Sequence, residues 1–405
     1  MATAEPIDQP LFAQRRSFGR EVLGPVLARF SRDVIMWSRA APAPQDTAVL
    51  FASRGGWRLE LLADLFGQRT GYGFGPVLTG RLMISRLLAM RGFLLNSDAA
   101  VEELARYTDG KTLKFVAGLL LPPGSAVDPS PLLDAPATAA TIKDLLHSDG
   151  EIAAALRAEL STQHALLSSH IDLIRAGRRH VVFVDTGLFG SMFRVVDEGR
   201  PDLKTALVML GRCFYRTPLP YQQCSTSGLA FQCEAFRHQA PESAVIRHWY
   251  LFETMFEPPM PSITRLTPQS GGGGPDTSPM ASPAIAGREN PFFCGILDYI
   301  ENLGPADLLT IDAKASRAGT RLAGAILVPS STEVSLLGIG PSEPSPGDQA
   351  GMDSLIPVDG APFSRRLASI RAAHWQEGQM KRAFPVTASL LLPAIAAARI
   401  AAGCR

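Results

Sequence analysis

The sequence predicts an α/β protein: a parallel sheet flanked by helices, with a helical insertion and a C-terminal accessory region. Three observations carry the α/β expectation. Residues 47–53 (TAVLFAS) are a nearly continuous apolar run, followed at once by Arg54-Gly55-Gly56 and then by residues 57–66 (WRLELLADLF), which keep helical spacing up to Gly67. Residues 180–184 (HVVFV) repeat the plan, with a small-residue turn at 185–191 and a helix start at 192–197. Residues 203–210 (LKTALVML) then supply the next parallel strand. Strands that are apolar at every position belong to sheets covered on both faces.

The other elements follow in chain order. Residues 1–16 are polar and contain proline, which suggests a loose lead-in. From 17 to 40, Val22, Val26, Leu27, Phe30, Val34 and Ile35 recur at helical spacing. Residues 70–80 (TGYGFGPVLTG) hold four glycines and read as a mobile loop able to close over a ligand. Residues 81–90 fit a strand or a short helix. Ser97 and Asp98 can cap a helix over 99–107, 122–136 is a proline-rich connector, and 151–174 is a long helix with Ile152, Leu156, Leu160, Leu167 and Ile171 on one face. These helices form an insertion at about 96–176 in a core spanning 17–266. Residues 244–256 read as a helix stopped by Pro258-Pro259. Residues 267–288 (TPQSGGGGPDTSPMASPAIAGR) read as a low-complexity linker, and 289–405 as a C-terminal accessory region with basic, Ala-rich terminal helices.

Composition limits the function classes. A chain of 405 residues can bury a sizeable core, and 46% hydrophobic with 19% charged residues excludes wholesale disorder. A net charge of +1 gives no overall field to draw nucleic acid. The cysteines are five (Cys213, Cys224, Cys233, Cys294, Cys404), and MATAEPIDQP has no apolar leader, so a reducing, cytoplasmic location is expected. No run reaches the length of a spanning helix; residues 386–402, broken by Pro393 and carrying Arg399, read as a packed terminal helix. The last 45 residues carry seven basic groups against Glu377 alone. That segment either contacts anionic lipid peripherally, at the inner face of a membrane, or is an ordinary solvated helix pair.

The chemistry concentrates where strands end. In HVVFVDTGLFGS, Asp185 sits at the carboxyl end of a buried strand, the rim at which open α/β sheets place ligands. Gly187 and Gly190 allow a tight turn, so that amides of 186–191 and the Ser191 hydroxyl could converge on a phosphate at a helix N-terminus. The plain alternative is a strand-to-helix turn with a capping Asp. At the other strand end, Arg54 offers a bidentate phosphate donor and Gly55-Gly56 let amides approach an anion. Two anion cradles on one rim suit a ligand with two separated phosphates. There is no GxxxxGK[ST], GxSxG or HExxH. GYGFGP fails the dinucleotide fingerprint at Pro76, with no strand leading in. Cys213, Cys224, Cys233 and His238 lack a close metal-ligand pair. A haloacid-dehalogenase (HAD) phosphatase needs Asp-x-Asp, but Gly187 stands two residues beyond Asp185.

The strand–Arg–Gly–Gly–helix unit followed by VVFVDTGLFGS resembles type I phosphoribosyltransferases. The resemblance puts Arg54, Gly55 and Gly56 on the pyrophosphate turn, Asp185 on the ribose-hydroxyl carboxylate, and Gly187, Leu188, Phe189, Gly190 and Ser191 on the 5-phosphate loop, with Ser53 and Thr186 as further substrate-binding candidates. Thr186 stands where a second acidic residue is usual. A narrower group is more similar still: phosphoribosyl pyrophosphate (PRPP)-using glycosyltransferases of bacterial polysaccharide loci, related to predicted HAD superfamily hydrolases. Their pattern is matched in order by Gly19-Arg20-Glu21-Val22-Leu23-Gly24-Pro25, Ser53–Gly56 (with Gly55 in a usually acidic position), Ser85-Arg86, Asp185–Ser191 and the Glu-bearing helix of WYLFETMFEPPMP. The resemblance implies an enzyme that transfers 5-phosphoribosyl from PRPP to a hydroxyl of a glycan or lipid-linked glycan, releasing pyrophosphate with Mg²⁺, which Asp185 would hold through water. A separate phosphatase then leaves ribofuranose. Glu253 and Glu21 are both candidates for the general base, and Ser85 and Arg86 for phosphate contacts. The competing expectations are a HAD-like phosphatase and a non-catalytic phosphosugar-binding module.

Overall fold

The computed structural model describes residues 9–125, 131–213, 226–233, 241–270, 274–338 and 355–402. Cys224, His238, Cys404 and residues 1–8 of the expected lead-in lie outside them. In order, the elements are α1 (Gln9–Phe18), a π-turn (Gly19–Leu23), α2 (Gly24–Arg39), β1 (Thr47–Ala52), α3 (Gly55–Thr70), β2 (Leu78–Leu82), α4 (Arg86–Phe93), α5 (Asp98–Tyr107), α6 (Leu113–Leu120), α7 (Ala139–His147), α8 (Glu151–Arg175) and β3 (His180–Leu188). Then come α9 (Ser191–Gly199), β4 (Lys204–Cys213), β5 (Thr226–Cys233), α10 (Pro241–Arg247), α11 (Trp249–Phe256), α12 (Pro291–Glu301), α13 (Ile311–Leu327), α14 (Ser331–Leu337), α15 (Phe363–Ala372), α16 (Gln376–Ala383) and α17 (Pro385–Ala402).

The expected α/β architecture is present. All strand pairs are parallel, in the order β2-β1-β3-β4-β5. The chain leaves β1 toward β2 on one side and returns to β3 on the other. The gap between the carboxyl ends of β1 and β3 is therefore the topological switch point, where loops diverge and leave a crevice. Alternate residues face opposite layers, as a pleated strand requires. Val49 and Phe51 of β1, Val182 and Val184 of β3, and Val208 and Leu210 of β4 pack with α2, α3, α12 and α13. Ala48, Leu50, Val181, Phe183, Leu207 and Met209 pack with α4, α8 and α9. No helix among the described residues is long and apolar enough to cross a membrane.

Four expectations are corrected here. Residues 9–16 are not loose, since α1 begins at Gln9. Residues 70–77 cannot close over a carboxyl-edge site. α3 runs back from the carboxyl to the amino edge, because β2 must start there, with Leu78 beside Ala48; Arg39, just before β1, lies over the Tyr72 ring at 5.0 Å. The chain after 289 is no appendage, for Phe292, Phe293, Ile296 and Ile300 of α12 share a core with β1, β3 and β4. The close α1–α2–α12 crossing explains the glycines of GREVLGP: a Cβ at Gly19 would overlap the Phe292 carbonyl, and one at Gly24 would lie 2.6 Å from Tyr299 Cβ.

The expected linker at 267–288 is no loose tether either. Where described, residues 257–288 form a fixed strap, with Met260, Leu266 and Ile285 buried. Side chains distant in sequence hold its carbonyls. Arg58, buried in α3, donates to Phe256 (2.6 Å), Ala284 (3.1 Å) and Ile285 (3.0 Å) and lies 3.8 Å from the Phe293 ring centroid. Arg81 donates to Met280 at 2.6 Å, Arg91 to Thr264, and the Gln163 amide pairs both ways with Leu266. Burial pulls the Arg58 guanidinium down to about 10, so it stays charged at neutral pH. Arg58→Ala would leave three carbonyls unpaired at about 1–3 kcal/mol each. A loss of at least about 3 kcal/mol in urea unfolding is expected. Arg58→Lys, which lacks the planar fork, should recover less than half of it.

Candidate active site at the switch point

Both predicted turns reach the switch point and touch. β1 ends at Ala52; Ser53 donates its hydroxyl to the Ile84 carbonyl, and the Ile84 amide returns a bond at 3.3 Å. Arg54 then turns the chain at φ 65°, ψ −94°, a region costly for a residue with a Cβ. Gly55 opens α3 against the carboxyl end of β3: a Cβ there would overlap the Thr186 methyl and lie 3.1 Å from Glu257 Oε1. A Cβ at Gly56 would lie 3.0 Å from the Val184 carbonyl. Gly55 and Gly56 are thus buried close-packing residues. They do not line the cavity, so the expected amide cradle at 55–56 is absent.

The second cradle is narrower than expected. β3 does not stop at Val184 but stays paired with β4 through Leu188, Gly187 facing Gly211. The Thr186 amide is taken by Asp185 Oδ1 at 2.8 Å. The amides still suited to an anion are those of Ser191 and Met192 in the first turn of α9, since Phe193 and Arg194 already donate to the Gly190 carbonyl at 3.0 and 3.1 Å. Gly190 enters that turn in the left-handed region at φ 69°, which requires glycine, and Ser191 begins the helix, buried.

One cavity of about 290 Å³ joins these parts, near the lower end of small-ligand sites. Ser53, Arg54, Ser85, Arg86, Asp185, Thr186, Gly187, Leu188, Phe189, Gly190, Ser191 and Glu253 all line it. Ser85 caps α4, accepting from Leu88 N at 3.2 Å and donating to Ile263 O at 2.6 Å, and so does structural duty at the rim. Arg86 is half exposed, 3.6 Å from Glu103.

Sequence reading missed Glu257. It follows Glu253 by four residues, the spacing that puts two side chains on one helical side. Its Oε2 is 2.7 Å from Arg54 Nη2, while Arg54 Nη1 donates to Met260 O at 3.1 Å. The cavity thus holds three carboxylates against two guanidinium groups. Burial, then the charge of Glu257, pushes Asp185 up to about 7; the Thr186 amide and Arg86 oppose this. Burial, Glu257 and Asp185 together push Glu253 to the alkaline side of an ordinary glutamate, against Arg54 and Arg86. No three His, Cys, Asp or Glu side chains among the described residues converge as direct metal ligands. Mutually repelling carboxylates do suit a hydrated cation held through water, and Asp185 is the one on the strand that leads into α9.

Glu21 is not in this cavity. The π-turn carries it to another face, where it pairs with Arg321 Nη1 at 2.7 Å and accepts from Ser17 Oγ at 2.8 Å. It lines a separate hollow with Arg20, Tyr299 and Lys314. Its candidacy as a general base came from a local motif, and only the tertiary path removes it. Glu21→Gln should leave the activity proposed below within about twofold and cost under about 1 kcal/mol of stability, since exposed pairs contribute little. Turnover and thermal unfolding check both.

No family model matches the chain, and no curated protein is significantly similar to it in sequence.

Proposed function

We infer that the chain is a PRPP-using glycosyltransferase that moves 5-phosphoribosyl onto a hydroxyl of a glycan or lipid-linked glycan, for ribofuranose in a bacterial polysaccharide. One observation supports this best: at the switch point, cationic and amide donors (Arg54, Arg86, the α9 N-terminus) line one cavity together with half-buried carboxylates (Asp185, Glu253). A doubly phosphorylated pentose has both complements, anionic ends and a hydroxylated ring.

In this reading the α9 N-terminus holds the 5-phosphate and Arg54 the pyrophosphate. Asp185 accepts hydrogen bonds from ribose hydroxyls. The bond from C1 to the pyrophosphate oxygen breaks with its electron pair on pyrophosphate; the acceptor oxygen bonds C1 from the opposite face, inverting it. The acceptor's proton passes to Glu253, whose raised proton affinity suits a base. Bound Mg²⁺, held through water by Asp185, would supply charge neutralisation to the leaving group. A carboxylate does stand near position 55, acidic in resembling chains: Glu257, just past α11, brings Oε1 to 3.1 Å from where a Cβ at Gly55 would lie. Turnover should rise with pH as Glu253 deprotonates.

Incubation with PRPP, Mg²⁺ and a panel of synthetic glycan acceptors tests the reading. The expected result is a phosphopentose mass increment on an acceptor with equimolar pyrophosphate. A second reading, a phosphosugar-binding module without turnover, is favoured by the burial of Gly55-Gly56 and the structural duties of Ser53 and Ser85. Calorimetric PRPP binding with no transfer would select it. A HAD-like phosphatase is disfavoured, because a Cβ at Gly187, the position of the second Asp, would overlap the Gly211 carbonyl.

A further inference from the structure

The last helix is apolar on the side it shows to water. Residues 386–402 were expected to pack, yet among the described side chains of α17 only Ala388 and Leu392 are buried, one turn apart. The opposite stripe is Val386, Leu390, Pro393 and Ala397, spaced by three and four, with Val386 78% and Leu390 73% exposed. A surface helix ordinarily puts charged and polar residues there. α15 does the same: Phe363 (69% exposed) and Leu367 (47%) lie one turn apart, with Arg371 on the next turn. The stripes meet where the Phe363 ring packs on Phe384, 5.4 Å between centroids, just before α17. Elsewhere, exposed large apolar side chains, from Met36 to Leu309, are scattered singly, which is normal for a surface.

The charge around the stripes is mostly of one sign, the exposed exception being Asp359, 3.9 Å from Arg382. Between residues 360 and 398 the sole carboxylate is Glu377, which is buried with His248 Nε2 at 3.1 Å. Arg365 and Arg371 are exposed, and Arg366 and Arg382 half-buried. A face that is apolar in stripes and cationic between them complements a surface both apolar and anionic. A second copy is a poor complement, because a two-fold contact would oppose each arginine-bearing stripe with itself.

We propose that α15 and α17 form a docking face for an anionic lipid bilayer, lying in the headgroup layer with Leu390 and Phe363 inserted. This stands on α15–α17 alone and is independent of the PRPP reading. The test is co-sedimentation of the full chain with vesicles of phosphatidylcholine alone and with about 30% phosphatidylglycerol, at about 0.1 M salt. Binding to the anionic vesicles is expected to be at least about tenfold tighter than to the neutral ones. The double variant Val386→Asp, Leu390→Asp should lose at least about tenfold of it, and Arg365→Glu with Arg371→Glu about fivefold per arginine. These positions are exposed, so circular dichroism and melting should match the parent. Equal affinity for both vesicle types, or a V386D/L390D chain that binds as the parent does, overturns the proposal. So does a dimer in light scattering that the two aspartates dissociate with no vesicle binding by the parent, which assigns the face to a second copy. Failure to bind vesicles while PRPP transfer proceeds sinks this proposal alone.

Discussion

Asp185→Asn should reduce phosphoribosyl transfer by about 10²–10³-fold while making the protein more stable at neutral pH. The first effect follows from placing a carboxylate where positive charge develops on the sugar; an amide keeps the shape and the bond from the Thr186 amide but not the charge. The second follows from linkage. An aspartate in an unfolded chain titrates near about 3.9, whereas Asp185 in the fold titrates near about 7. Between these pH values the folded protein keeps a proton that the unfolded chain has released. Stability therefore falls as pH rises through that window and stays low above it. At about 1.4 kcal/mol for each pH unit between the two titrations, the ceiling is about 4 kcal/mol. Asparagine removes this titration, so urea unfolding should become flatter between about pH 4 and 7 and firmer at about pH 8. An aspartate that merely capped a turn would behave otherwise: its asparagine variant would retain transfer, and the pH series would match the parent.

That aspartate was legible because the strand that delivers it is. β1 and β3 are covered on both faces, so they read as unbroken apolar runs, and the rim residues at their ends could be named with them. β5 was not foreseen. It lies at the sheet edge with most residues half-buried and with Gly228 inside it, so its run carries no apolar signature. β2, the other edge, is LTGRL, mostly half-buried; its first three residues read as the end of the 70–80 loop and its last two as the start of the 81–90 stretch that fits a strand or a short helix. The strap at 257–288 was misread for a different reason. Its composition is that of a linker, and its anchors, Arg58, Arg81 and Arg91, lie 173 to 227 residues upstream, where nothing marks them as partners. The position of the 70–80 loop was recoverable. A parallel strand–helix–strand unit must return the chain to the amino edge, so a loop between that helix and the second strand cannot cover the carboxyl rim.

Glu257→Gln and Arg54→Ala should move pyrophosphate affinity in opposite directions. Arg54 is held by Glu257 on one side and the Met260 carbonyl on the other, on a backbone turn unfavourable for arginine. A pyrophosphate entering the cavity competes with Glu257 for the same guanidinium and is repelled by the same carboxylate. Neutralising Glu257 removes both obstacles, and about tenfold tighter binding is expected, equivalent to about 1.4 kcal/mol. Arg54→Ala deletes a charge-assisted donor worth about 1.5–3 kcal/mol, or roughly 10–100-fold in affinity. It also leaves Glu257 facing Asp185 and Glu253 without its nearest cation, so the variant should lose stability as pH rises. The two variants also separate binding from protonation. Glu257 is the second cause, after burial, of the raised titrations of Asp185 and Glu253. In Glu257→Gln both should fall, and the rise of turnover with pH should begin at lower pH. Calorimetry with pyrophosphate and a pH–rate series measure these outcomes. If Glu257→Gln weakened pyrophosphate binding as Arg54→Ala does, Glu257 would be a strut that aims Arg54 at the phosphate, and competition for the guanidinium would be ruled out. Pyrophosphate binding untouched by either substitution would place the leaving group elsewhere in the cavity, nearer Arg86 and α9.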